Sequence, residues 1–233
     1  MDSGNIGFVL LCAAFVFVMT PGLAMFYGGL VRKKNVVNTM MTSIFIIGIG
    51  IVMWVLFGYS LSFAPSGNAF IGDFRWLGLE GVSLTEGYTD DASIPNMVFS
   101  AFQMMFAVIT PALITGAVAG RMKFKSIFVF TIFWSLIVYY PLAHMVWGQG
   151  GLLGADGIGA LDFAGGDVVH ISSGVSALVL CILLGKRHDY EHSIYRIHNI
   201  PTVVLGASLL MFGWFGFNAG SALAADGLAA HAF

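Results

Sequence analysis

Apolar residues come in six long blocks along this chain, and polar residues gather between them. The blocks cover about 6–30, 39–63, 94–119, 126–147, 163–185 and 200–224. A helix needs roughly 20 mostly apolar residues to cross a bilayer, so each block predicts one transmembrane helix. The predicted fold class is an all-α integral membrane protein with six transmembrane helices, forming a single transmembrane domain over 1–233. The first block is not a cleavable signal. Asp2 stands where a basic start would be, the block is long, and no small-residue cleavage site follows it.

The polar segments predict the orientation. Arg32, Lys33 and Lys34 follow the first block, Arg121, Lys123 and Lys125 the third, and Lys186, Arg187 and Arg196 the fifth. The alternate side has only Arg75, a split of nine to one. The positive-inside rule then puts the three basic segments in the cytoplasm. The N-terminus, the last residues and the loop over about 64–93 are expected outside, in a multi-pass protein of the cell membrane. That loop is acidic, with Asp73, Glu80, Glu86, Asp90 and Asp91.

Composition narrows the class further. Hydrophobic residues make up 58% and charged residues 9% of the 233, with mean hydropathy +0.88. Soluble domains carry about 25% charged residues, so a water-soluble globule, a disordered chain and a coiled coil are excluded. A net charge of −2, with no extended basic patch, argues against nucleic acid as a partner. Cys12 and Cys181 sit in apolar runs and read as packing residues, without disulfide or zinc spacing. Thirty glycines suit membrane helices, where small residues let backbones approach closely.

A spacing recurs. Gly22-x3-Phe26-x2-Gly29 in the first block matches Gly213-x3-Phe217-x2-Gly220 in the sixth, about 190 residues later. Five spans separate the two starts, so the second copy enters the membrane from the opposite side. An inverted repeat of this kind is a transporter signature. It predicts one five-helix repeat plus the first helix of a second, and so an incomplete chain. Coincidence is the alternative, since glycine and phenylalanine are both abundant.

Polar groups inside the blocks are the candidate chemistry. His170 lies about seven residues into the fifth block, roughly 10 Å below its start. An ionisable group at that depth marks function by default, and a neutral imidazole both donates and accepts a proton. The structural alternative is a core histidine bonded to a carbonyl. Asp162 opens the same block and reads first as a helix N-cap, with negative potential beside a cation entrance as its second role. Asp167 has no assigned role. Phe102 and Phe106 share a helix face at a spacing of four, as do Trp214, Phe217 and Ser221 at spacings of three and four. With Trp147 near the outer surface, these rings and a hydroxyl could hold a small cation, each ring contributing about 0.5–2 kcal/mol. Ordinary packing and interfacial anchoring explain the same aromatics. His144 reads as structural, and His188, His192 and His198 as solvated residues without metal spacing. Tyr139 and Tyr140 with Pro141 read as an interfacial belt and kink.

These motifs resemble the ammonium transporter (Amt/Mep/Rhesus) family, on its Amt branch. The matching stretches are Pro21 through Asn35, His144-Met145-Val146-Trp147-Gly148, Leu161 through His170, and Gly213 through Ser221. The resemblance implies homotrimers of eleven-span subunits with one narrow pore each. It implies an ammonium recruitment site at Phe106, Trp147 and Ser221 supported by Asp162, and a pore gate at Phe106 and Phe217. It also implies a pore wall that includes Phe102 and Trp214, and His170 as the first of two facing pore histidines that relay protons. Ammonium or ammonia and membrane lipid are the implied partners, with a cytosolic PII-type regulator at the cytoplasmic face; no cofactor or metal is implied. The second histidine belongs to later spans that this chain does not reach.

The expected function is ammonium transport: recruitment, deprotonation and passage of neutral ammonia through an apolar pore. An ammonium sensor within a larger signalling protein is the alternative. A six-span intramembrane protease is disfavoured, because Ser172-Ser173-Gly174 lacks the first glycine of a Gly-x-Ser-Gly nucleophile. A water channel would need an Asn-Pro-Ala pair, which does not occur.

Overall fold

The computed structural model describes residues 1–155, 157–187, 190 and 194–233. His188 and His192 lie outside the described residues. Six helical spans are long and apolar enough to cross a membrane: α1 (Ser3–Leu30), α2 (Lys33–Phe63), α3 (Asn96–Val118), α4 (Phe124–Trp147), α5 (Gly166–Leu184) and α6 (Ile200–Gly220). A short α7 (Gly227–Ala232) follows, and no strand occurs among the described residues.

Helix ends differ from the apolar blocks where local chemistry overrides hydropathy. α2 begins at Lys33 rather than 39, because polar residues sustain a helix that extends past the bilayer's apolar layer. α5 begins at Gly166 rather than 163: Gly165 has φ +95°, a left-handed conformation that no helix interior accepts. α6 closes at Gly220 rather than 224, ahead of a turn in which Leu223 adopts φ 58°.

α1 and α6 pack most extensively. Their seam is built from small residues, and it runs antiparallel. Gly29 abuts Asn199 and Val203, Gly22 abuts Gly206, and Gly213 and Gly216 abut Phe15 and Cys12. A side chain at Gly206 would place its Cβ 2.3 Å from the Phe26 backbone nitrogen. Both copies of the glycine spacing therefore lie on this seam. α3 is the most buried of the six spans, and packs on α1, α2 and α5.

Three π-turns interrupt the helical period, at Trp54–Gly58 in α2, Ser135–Tyr139 in α4 and Gly166–Ile171 at the start of α5. The expected interfacial belt at Tyr139 and Tyr140 is incorrect, since both are buried in the bundle. Tyr140 fits there because Gly58 leaves space: a Cβ at that glycine would come 2.7 Å from the tyrosine ring. Trp54 packs against the same ring, 6.1 Å between centroids.

The two ends of the bundle differ in charge. At one end the basic segments meet: Arg121 donates to the Gly185 carbonyl (2.9 Å) and Arg187 to the Ala119 carbonyl (3.3 Å). The His198 amide donates to the Val31 carbonyl (3.1 Å). At the other end the acidic loop folds back onto the helices. Trp76 stacks on Tyr59 at 5.4 Å and Tyr88 stacks on Phe99 at 4.8 Å. Arg75 is paired with Asp73 there at 2.7 Å. That guanidinium, by its hydrogen bond, holds the Asp73 carboxyl below the usual carboxylate range. His144 is wholly buried beneath the loop, its Nδ1 3.1 Å from the Ser62 carbonyl and its Nε2 2.8 Å from the Asn68 carbonyl. It fastens α4 to the chain that leaves α2.

Candidate functional site

The site begins with the turn into α5. Asp162 sits ahead of the helix, and its carboxylate accepts four backbone amides. Oδ1 takes those of Gly165 (2.5 Å) and Gly166 (2.8 Å), and Oδ2 takes those of Asp167 (2.8 Å) and Val168 (2.9 Å). A helix start leaves its first amides without partners and carries partial positive charge, so one carboxylate answers both needs. The left-handed Gly165 curls the chain so that a residue four positions before the helix reaches those amides. The Asp162 carbonyl also accepts the Trp147 indole N–H at 2.8 Å. The cap of α5 thus holds the ring that closes α4.

Above this turn, on the acidic-loop side, lies a cavity of about 530 Å³. Phe102, Phe106, Trp147, Asp162 and Ser221 all line it. The Phe106 and Trp147 rings meet nearly edge-on, 6.1 Å apart at 85°. Phe102 and Phe106 meet at 4.9 Å, and both are buried. Ser221 donates its hydroxyl proton to the Phe217 carbonyl at 2.9 Å, which turns its oxygen lone pairs away from that bond. Tyr88 also lines the cavity; burial pushes its phenol up to about 12, so it stays neutral at ordinary pH.

Phe106 separates this cavity from a second set of rings. Phe217 packs on its other side at 4.3 Å and is itself buried. The His170 imidazole follows, 5.9 Å from Phe217, and Trp214 packs beside both, 5.8 Å from the imidazole and 6.5 Å from Phe217. The order is therefore cavity, Phe106, Phe217, His170. The π-turn sets the histidine's place, its amide bonding five residues back to the Gly165 carbonyl at 2.9 Å. Ser172 and Ser173 donate to the carbonyls of Val168 and Val169, at 2.5 and 2.6 Å, and stiffen the same turn. Neither hydroxyl is paired with a base.

His170 opens onto the outside of this bundle. Its imidazole and Trp214 are both exposed on the flank of the bundle where α5 and α6 run. These are the two least buried spans, so this chain supplies one side of any passage there. Among the described residues, no group of three or more His, Cys, Asp or Glu side chains is arranged to hold a metal ion.

Most of the other lining residues, among them Phe99, Gln103 and Asp91, lie outside the sequence prediction. Gln103 lines the cavity between Phe102 and Phe106 on α3, buried and with its Oε1 unpartnered. A polar amide on the ring-bearing face of an apolar span was the available signal.

The sequence model of a family described as Ammonium Transporter Family matches residues 7–233. The chain is 53% identical over 233 residues to an ammonium transporter of Bacillus subtilis (strain 168), covering all of this chain and 56% of that protein. It is 46% identical over 234 residues to an ammonium transporter of Aquifex aeolicus (strain VF5), covering all of this chain and 53% of the relative. The crystal structure of Candida albicans Mep2 superposes with a TM-score of 0.85 at 34% identity, over 97% of this chain and 50% of that one. The chain spans about half the length of the curated relatives it matches.

Proposed function

This chain belongs to the ammonium transporter family, and on that premise we propose that it provides the recruitment site and one wall of a pathway for ammonium across the membrane. One observation carries the proposal: a cavity edged by two rings and a hydroxyl, from which buried rings lead in line to a histidine. In this reading the acidic loop faces outside and draws cations in. Ammonium rests against the faces of Phe106 and Trp147 by cation–π attraction and donates an N–H to the Ser221 lone pairs. Asp162 does not coordinate it, because its oxygens are occupied by amides; it holds Trp147 in place and adds negative potential.

The Phe106–Phe217 pair then bars a hydrated ion. A bare ammonium ion is penalised heavily in such surroundings, whereas neutral ammonia is not. The ion therefore sheds its water at the rings and crosses the apolar stretch beyond them as NH3. The N–H bond breaks where the ion, stripped of water, has slipped past the rings to His170. The imidazole takes the proton, NH3 goes on, and the imidazolium later releases the proton along the path, which Phe102 and Trp214 line. His170 and Trp214 face outward from this bundle, which supports further spans closing the pathway on that flank. The antiparallel α1–α6 seam supports an inverted second repeat beginning at α6. In this reading residues 1–233 form a single transmembrane unit with its N-terminus outside the cell. A homotrimer and a PII-type regulator at the basic end belong to the same proposal.

The test is His170→Ala in the intact protein. Ammonium current is expected to fall, or selectivity over potassium to be lost. Unaltered current together with unaltered selectivity overturns the role given to the imidazole.

A further inference from the structure

We infer that Gln103 is an additional ammonium-positioning residue, its carboxamide oxygen accepting one N–H of the ion; this rests on the reading of the cavity as the recruitment site. Phe99, Phe102, Gln103 and Phe106 stand on one face of α3, at spacings of three and four residues, and all four line the cavity. Three are rings. The fourth is an amide at only 9% exposure, and its Oε1 has no hydrogen-bond partner.

Buried carbonyl oxygens are nearly always satisfied, so one left unpartnered beside a cavity calls for a donor. Oε1 is itself buried as placed, and turning it toward the cavity would let a donor there end the deficit. Ammonium brings four N–H donors and no acceptor. The last torsion of glutamine is broad, so the oxygen reaches the cavity side by rotation without disturbing α3.

Several side chains of the site are already committed, while Asp91, at the exposed end of the cavity, accepts the Thr89 hydroxyl on one oxygen. The Asp162 oxygens each accept two amides. The Trp147 N–H is held by the Asp162 carbonyl. Ser221 has given its proton to Phe217 and keeps its lone pairs. Deeper than that exposed carboxylate, Ser221 Oγ and Gln103 Oε1 are left to accept, with the ring faces taking the remaining charge. This arrangement distinguishes ammonium from methylammonium, in which a methyl group replaces one N–H. A donor lost from the ion and an acceptor lost from the wall should compensate each other.

The experiment measures uptake of ammonium and of methylammonium by the intact protein, wild type against Gln103→Leu and Gln103→Glu. For Gln103→Leu, the ammonium KM is expected to rise about tenfold, as for loss of one hydrogen bond to a charged group. The methylammonium KM should move much less, because the methyl can lie against leucine. The ratio of the two KM values is the readout that a merely structural residue would not move. Gln103→Glu retains an acceptor oxygen and should keep the ammonium KM at or below the wild-type value. Should Gln103→Leu fail to reach the membrane, Gln103→Met carries the same expectation. Parallel shifts for both substrates, or a Glu variant impaired as much as the Leu variant, overturn the role. A wild-type protein that moves no ammonium instead overturns the reading of the cavity.

Discussion

Asp162 condenses the design of the site into one side chain. Its carboxylate accepts four amides, more than an uncharged residue of the same shape can. Asp162→Asn keeps one oxygen and sets an NH2 group against amides that also donate. It is expected to lower the thermal stability of the detergent-solubilised protein, by about 2 kcal/mol or more. It should also release Trp147, seen as a change in tryptophan emission; a variant with native melting and emission counts against this account. An acid opening an apolar run was legible in the sequence as a cap. That it caps from four residues away was not, because the reach depends on the φ of Gly165. Tyr139 and Tyr140 were misplaced for a related reason. Hydropathy ranks tyrosine as interfacial, whereas the space left by Gly58 admits Tyr140 to the core.

Among the elements, the α1–α6 seam carries the closest approach. Gly206 meets the Phe26 backbone, which cannot yield as a flexible side chain would. Gly206→Val is expected to push the two helices apart and destabilise the protein by about 1–3 kcal/mol, the usual penalty of overpacking. Thermal unfolding checks this, with Gly48→Val as the control, since a Cβ at Gly48 meets nothing within 4 Å. Equal melting of the two variants would show that the seam is not tight. The glycine spacing that marks this seam is visible in the chain, because small residues recur on one helical face. The π-turns are not visible, since a single extra residue in a turn leaves an apolar block just as apolar. Yet the π-turn of α5 sets the imidazole beside Phe217.

At the scale of the molecule, charge separates the two ends. Basic segments that are far apart in sequence meet at one end, and the acidic loop covers the other. In the proposed orientation, Arg75→Cys in intact cells should react with a membrane-impermeant maleimide, and Lys123→Cys only after permeabilisation. The reverse pattern would invert the topology. Burial divides the molecule along another axis, with α3 enclosed and α5 and α6 exposing a flank that holds His170 and Trp214.

The number of spans, the segregation of charge and the recurring glycine spacing follow from sequence alone, because hydrophobic partition, charge at the membrane surface and helical period are each local properties of the chain. The line from cavity to Phe106, Phe217 and His170 was decided only by the tertiary structure. Four spans contribute to it, and one reversed glycine and one widened turn fix its alignment. So was the unpartnered oxygen of Gln103, since whether a buried polar atom has a partner depends on every element packed around it.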